Sequence, residues 1–350
     1  MKKNAYDINV IVPVSIFEPA GVIKRSMESL ENLKEYERKR DKLNLKIRYI
    51  LDADAKNAKF SSLKEFAEEK GVILIFRGDT RGRKAGAMND ALRKIFREEE
   101  IPDFFAFFDV DSRPSENFIH ECVNVFERDI KGDITFVSAP RYVANEGNFI
   151  PRLVSVEYLL LNDIYKVFSE RTSFKHFNGL IGLVKKDLFL EEGLFDEGKI
   201  CEDTDMSERI YLSGKREAFT DKTEVGEQAP ITMRDLYGQR VRWMIAPLEG
   251  MSSYLYDFFH MKDRKVKMTW FFAMIIPFFI ILFLPLFLLY SIRIISSYRG
   301  DKEKINWRDL FIKLVALLFY PIFIEICSIV SIFKFVMGKK EWNHIEREEI

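Results

Sequence analysis

Phe104-Phe105-Ala106-Phe107-Phe108-Asp109-Val110-Asp111-Ser112 is the stretch whose reading decides the fold. An apolar, mostly aromatic run of this length has the pattern of a strand buried on both faces. It stops at two carboxylates spaced i and i+2. Along a strand that spacing puts both side chains on one face, whereas on a helix it would not. Paired carboxylates repel unless a cation stands between them, and hard divalent ions such as Mg²⁺ or Mn²⁺ take oxygen ligands of this kind. Ligands of open α/β sheets bind beyond the carboxyl ends of the strands, where this pair would lie. The plain alternative is a solvated turn after a core strand.

Outward from this run, strand-like and helix-like segments alternate. Residues 8–14 (INVIVPV) read as a first strand, and 21–40 carries Val22, Ile23, Met27, Leu30 and Leu33 near helical periodicity. A strand at 46–51 ends at Asp52-Ala53-Asp54, a helix is expected over 61–70, and strand 72–76 follows. A Gly- and Arg-rich loop leads to a helix over 85–97 and then to the 103–108 strand. This rhythm predicts a doubly wound, mostly parallel sheet. Beyond it, 134–138 reads as a strand, 151–168 and 205–213 as helices, and Gly214 as a helix stop.

The 350 residues carry 31% charged side chains and no net charge, so the basic excess of a nucleic-acid binder is missing. Trp270 to Tyr290 is a run of 21 residues without a charge, long enough to span a hydrocarbon core. Leu314 to Phe333 is apolar apart from Glu325 and a few small polar residues. Both are predicted as membrane-spanning helices, over about 269–291 and 310–336, giving domains at 1–262 and 263–350. Pro277 and Pro285 fall inside the first span. The N-terminus runs straight into a strand-like segment without a signal peptide, so the first domain is expected in the cytoplasm, beneath a multi-pass cell-membrane anchor. Lys262, Arg264, Lys265 and Lys267 before the first span agree with this. The connecting segment 291–309 is itself basic, so either that loop is tolerated outside or the pair does not cross fully. Cys122, Cys201 and Cys327 show no metal or redox spacing and read as packing residues in a reducing compartment.

Polar residues gather at the predicted strand exits. Glu18 follows the first strand, as a surface acid or a site residue. Asp52 and Asp54 end the second strand, where carboxylates either accept from a base or ribose or simply begin the turn. Lys84 with Gly86 stands at a helix start, a place suited to phosphate. Asn178-Gly179 is a small pair for close approach or an ordinary turn. Glu202-Asp203-Thr204-Asp205 is either a helix N-terminus or a source of a general base. In Gln239-Arg240-Val241-Arg242-Trp243, Gln239 and Arg242 share a helix face. An amide and a guanidinium there suit a diphosphate, and Trp243 offers a flat surface to a sugar ring. Otherwise this is an amphipathic helix lying on a membrane.

Together, FFDVDS, FNGLIGLVKKDLF, EDTDMSERIYLSGKR and QRVRW resemble the processive branch of the family-2 glycosyltransferases, the inverting GT-A enzymes that include cellulose, chitin and hyaluronan synthases. The resemblance runs from about Val10 to Trp243. It implies a GT-A domain, an Mg²⁺ or Mn²⁺ ion bound directly by Asp111 with Asp109 serving the sugar nucleotide, and Asp203 as catalytic base. It further implies Asp52 at the uracil or ribose, and Gln239, Arg242 and Trp243 at the diphosphate and the acceptor end. The family's pattern departs here at Ser15-Ile16-Phe17-Glu18, at Asp52-Ala53-Asp54 and at Gly179-Leu180. The implied partners are a UDP-sugar donor, a saccharide or lipid-linked acceptor and membrane lipid. Two spans are few for a polymer channel, so a homo-oligomer or a channel partner is expected if the product is a polymer. The rival readings are a non-catalytic sugar-nucleotide-binding membrane protein and a single-sugar transferase to a polyprenyl lipid.

Overall fold

The computed structural model describes residues 5–40, 42–54, 58–98, 100–172, 181–297, 307–338 and Arg347. The first half is β1 Tyr6–Val14, α1 Ala20–Arg38, β2 Leu43–Leu51, α2 Ala58–Glu69, β3 Ile73–Phe76, α3 Arg83–Glu98, β4 Phe104–Phe107, β5 Arg113–Pro114, α4 Phe118–Arg128, β6 Ile134–Ser138 and β7 Arg141–Val143. Then come α5 Phe149–Thr172, β8 Gly182–Lys185, α6 Lys186–Glu191, α7 Glu202–Leu212, β9 Arg216–Phe219, β10 Val225–Glu227 and α8 Met233–His260. The C-terminal part is α9 Arg264–Ile275, two 3₁₀ turns at Ile276–Phe278 and Ile280–Phe283, α10 Leu284–Ser297 and α11 Trp307–Val336.

Seven strands form one sheet in the order β3-β2-β1-β4-β8-β6-β9. Strands β1, β2, β3 and β4 pair in parallel, β6 pairs in parallel with β9, and β8 runs antiparallel to both β4 and β6. The doubly wound reading therefore holds, with one reversed strand. The period-two alternation explains the apolar run. Phe104, Ala106 and Phe108 pack into the cluster beneath α1 and α4, whereas Phe105 and Phe107 pack into the opposite cluster with α3 and α6. Phe105 and Phe107 are no more than 1% exposed, and each gains roughly 1.5–3 kcal/mol from leaving water. The chain passes outward through β1, β2 and β3 and returns on the other side of β1 as β4. That reversal is the switch point at which such sheets hold ligands. A second sheet, β5-β10-β7, lies past the end of β4.

The apolar segment expected as one helix over about 269–291 is broken. Helix α9 ends at Ile275, and two 3₁₀ turns separated at Phe279 continue to Phe283 around Pro277, which cannot donate within a helix. Ser328 Oγ donates to the Pro277 carbonyl at 2.9 Å, supplying a partner inside the break. Among the described residues one helix is long and apolar enough to cross a membrane, Phe311–Val336 in α11, with a mean hydropathy of 2.2. It packs on α5 and α8 through Ala316, Leu317, Tyr320 and Cys327. Arg299, Lys302 and Lys304 of the basic connection lie outside the described residues.

Candidate active site

Strand β4 ends at Phe107, so Asp109 and Asp111 stand in a turn and not on extended strand. The turn is closed by Ser112 N–H donating to the Asp109 carbonyl at 2.9 Å and by Asp109 N–H donating to Ser112 Oγ at 3.1 Å. The turn, and not strand alternation, aims both carboxylates at the same cavity.

That cavity, about 1180 Å³, is lined at its polar end by Glu18, Lys84, Asp109, Asp111, Asp203 and Arg242, with Gln239 and Trp243 beside them. All eight were candidates from sequence. Asp52 and Asp54 are not among the lining residues. Asp52 instead pairs with Arg77, Nη1 to Oδ1 2.6 Å, and Arg77 also holds Asp90 at 2.8 Å. Asn178 and Gly179 fall outside the described residues.

Glu18, Asp109 and Asp111 at the polar end each face a cation. Lys84, in the first turn of α3, places Nζ 2.7 Å from Asp109 Oδ1 and 3.8 Å from Glu202 Oε1. Gly86 in the same turn is required by packing, because a Cβ there would lie 1.9 Å from the Arg81 carbonyl oxygen. Burial alone would raise the Asp109 carboxyl, but the Lys84 ammonium outweighs it and holds the group below the usual carboxylate range. Glu202 is raised by burial and by neighbouring Asp203, against the pull of Lys84. Asp203, in the first turn of α7, accepts the Thr204 N–H on Oδ1 at 2.8 Å.

Four charged residues of this wall were not singled out from sequence. Glu202 was read only as part of its acidic run. Arg141 and Glu227 arrive on the small sheet, Nη1 to Oε2 3.1 Å, and Tyr158 Oη donates to the same Oε2 at 3.3 Å. Burial pushes the Glu227 carboxyl up to about 7, with Arg141 opposing and Asp111 and Asp109 adding to the rise. Arg347 bonds Glu18 and places Nη2 2.9 Å from Asp111 Oδ1, while the Gln228 N–H donates to Asp111 Oδ2 at 3.3 Å. No spacing pattern marks Arg141, Glu227 or Arg347, because each arrives from a distant part of the chain.

On α8 the Arg240 guanidinium is fully buried. Its Nε donates to Glu157 Oε1 at 2.9 Å and Oε2 at 3.1 Å, its Nη1 bonds Gln239 Oε1, and its centre lies 4.1 Å from the Trp243 ring centroid. Arg240 thus sets the posture of Gln239 and Trp243, the first and last residues of the motif.

No group of three or more His, Cys, Asp or Glu side chains stands in metal-holding geometry among the described residues. The donor chemistry nevertheless fits a hard divalent ion. Asp109 and Asp111 share a turn, and the buried oxygens Glu18 Oε2 and Glu227 Oε1 have no hydrogen-bond partner on the same cavity wall.

A family model described as Glycosyl transferase family group 2 matches residues 104–326, and one described as Glycosyl transferase family 2 matches residues 9–190. Among curated proteins, glucomannan 4-beta-mannosyltransferase 7 of Arabidopsis thaliana is 27% identical over 51% of this chain and 32% of its own length. Poly-beta-1,6-N-acetyl-D-glucosamine synthase of Staphylococcus aureus (strain COL) is 24% identical over 67% of this chain and 52% of its own length. The matches therefore span about a third to about a half of these relatives' own length. The mannosyltransferase PcManGT from Pyrobaculum calidifontis, solved in complex with GDP-Man and Mn²⁺, shares the fold at TM-score 0.64 and 16% identity, covering 96% of this chain and 88% of its own. Each family model covers more than half of the chain, which belongs to the family-2 glycosyltransferases.

Proposed function

We propose that this family-2 member is a membrane-anchored, inverting, metal-dependent glycosyltransferase that moves a sugar from a nucleotide-diphosphate donor to the hydroxyl of a saccharide or lipid-linked acceptor. One observation carries the reading: Asp109, Asp111, Asp203, Gln239, Arg242 and Trp243, brought from separate elements, line one cavity at the switch point of the sheet. A binding protein has no need of a carboxylate placed like Asp203. The resemblance to synthases points to a UDP-sugar, whereas the glucomannan mannosyltransferases and the GDP-Man of the structural neighbour point to GDP-mannose, which is the first donor to test.

Asp111 and Asp109 would hold a divalent cation, with Glu18 and Glu227 beside them. Such an ion supplies Lewis-acid neutralisation of a departing diphosphate. The chain's own part is positional and electrostatic. Arg242 and the Gln239 amide face the cavity from one side of α8 and bind the diphosphate. Trp243, held by Arg240 on one face, offers ring surface to the acceptor sugar. Asp203 takes the proton of the acceptor hydroxyl as it attacks the anomeric carbon. The membrane anchor is α11.

The test is nucleotide release from GDP-mannose and from a panel of UDP-sugars by the purified chain with Mn²⁺. Asp203→Asn is expected to bind nucleotide normally and to lose about 10²–10⁴-fold in transfer. Normal turnover by a folded Asp203→Asn variant would remove the base assignment, and absence of release from every donor would remove the enzyme reading.

A further inference from the structure

The cavity does not end at the polar wall. It continues between α5, the end of α9 with the broken segment after it, and α11, where its walls include Leu161 and Ile164, Phe272 and Ile276, and Leu317 and Ile324. Leu317 and Ile324 stand seven residues apart on α11, so the apolar wall runs for roughly 10 Å along that helix. The donor chemistry uses none of this volume.

The lining decides the occupant. A saccharide threaded here would leave hydroxyls unpaired against aliphatic side chains, a penalty that a hydrocarbon chain does not meet. The location agrees, since the helix that forms one wall is the one apolar enough to cross a membrane among the described residues. The backbone break agrees as well. Ile276, Pro277 and Ile280 of the two 3₁₀ turns line the cavity, and backbone freed from the α-helical ladder is tolerated in a membrane protein where it borders protein or an interior space.

We propose that this apolar arm seats the hydrocarbon chain of a lipid-linked acceptor, with the acceptor's polar head presented to Asp203. The inference rests on the glycosyltransferase reading and selects between its two acceptor classes. A free saccharide would use Trp243 and the polar end alone, whereas a lipid-linked one fills the whole cavity.

The test uses the full chain in lipid nanodiscs with farnesyl phosphate carrying a photoreactive diazirine on its hydrocarbon end. Irradiation and peptide mass spectrometry are expected to place saturable label on α5 and on the α11 face at Leu317 and Ile324, competed away by unlabelled farnesyl phosphate. Leu317→Trp, and independently Ile276→Trp on a residue already 40% exposed, are expected to cut that label at least tenfold. Nucleotide binding by calorimetry serves as the folding control for both. Label confined to outward residues such as Phe311 and Leu318, or label that does not saturate, would overturn the proposal. Transfer from donor to a soluble saccharide by protein that takes no farnesyl phosphate would also overturn it and leave the glycosyltransferase reading standing. Failure to bind any nucleotide sugar would remove that reading and this inference with it.

Discussion

Replacing Arg240 with Met tests whether the buried ion pair on α8 organises the site. Arg240 has no exposed surface, and the Glu157 side chain is only 13% exposed. The two meet through three nitrogen–oxygen contacts, so Arg240→Met leaves a carboxylate without its cation among the apolar residues joining α5, α8 and α11. Breaking one side of such a pair costs about 3–5 kcal/mol, whereas replacing both partners by apolar residues of similar size is often neutral. At roughly 1.4 °C per kcal/mol for a chain of this size, the single variant should melt about 4–7 °C lower. Arg240→Met/Glu157→Leu should recover most of that loss. Thermal unfolding of the detergent-solubilised protein, followed by tryptophan fluorescence, gives both numbers. Arg240 also holds Gln239 Oε1 and lies over the Trp243 ring, so the single variant should bind nucleotide more weakly even at temperatures where it is folded. A single variant as stable as the parent, or a double variant no better than the single, would refute the reasoning.

Burial pushes the Glu37 carboxyl from 4.5 up to about 7, with Arg40 opposing, and His120 Nδ1 is 3.8 Å from it. Because the folded state then binds more protons than the unfolded one, the contribution of Glu37 is complete below pH 4.5 and is lost as pH rises through 7. Glu37→Gln should therefore match the parent at pH 4.5 and exceed it by up to about 3 kcal/mol at pH 8, read from denaturant midpoints; a gap that does not widen with pH would contradict this. Arg347 occupies Asp111 and Glu18 as an internal cation, so Arg347→Gln should tighten Mn²⁺ binding about tenfold by calorimetry, some 1.4 kcal/mol. Equal or weaker Mn²⁺ affinity would show that the two cations do not compete. A Cβ on Gly250 would sit 2.0 Å from Glu208 Oε1, which accepts the Trp270 Nε1–H at 3.0 Å. Gly250→Ala should destabilise by about 1–3 kcal/mol, and an unchanged melting temperature would argue against that close approach.

The elements read best from sequence are those whose signal is local. Phe104 to Phe108 announces a two-faced strand because five apolar residues in succession leave no solvent face, and the Val22–Leu33 stripe announces α1 because its period is helical. What stayed hidden depends on residues far apart in the chain. Nothing near Asp52 reveals that Arg77 claims it, and nothing near Gly182 reveals that β8 enters the sheet reversed between β4 and β6. Residues 269–291 carry the composition of a continuous span, but composition does not register how Pro277 breaks its hydrogen-bond ladder. The candidate site was legible where motif residues point into the cavity themselves. It was illegible where counter-ions are delivered by other elements, as with Arg141, Glu227 and Arg347.

Those counter-ions show how the site is poised. Glu18, Asp109, Asp111, Glu202 and Glu227 line one end of the cavity against three paired cations, Lys84, Arg141 and Arg347. Burial raises the carboxyls of Glu202 and Glu227, and the neighbouring carboxylates Asp203, Asp111 and Asp109 add to the rise against Lys84 and Arg141. A diphosphate brought to this wall adds further negative charge, and Arg242 alone does not offset it. A divalent cation held by Asp111 would carry twice the charge of the guanidinium that bridges Asp111 and Glu18, and Glu18 and Glu227, each with a carboxylate oxygen left unpaired, would be the residues available beside it. Exchange of one cation for the other therefore makes the wall less negative before a donor arrives, so metal and nucleotide should bind with positive coupling. In that order Arg347 would hold the carboxylates in register while no metal is bound, and its departure would expose them to the divalent ion of the proposed mechanism.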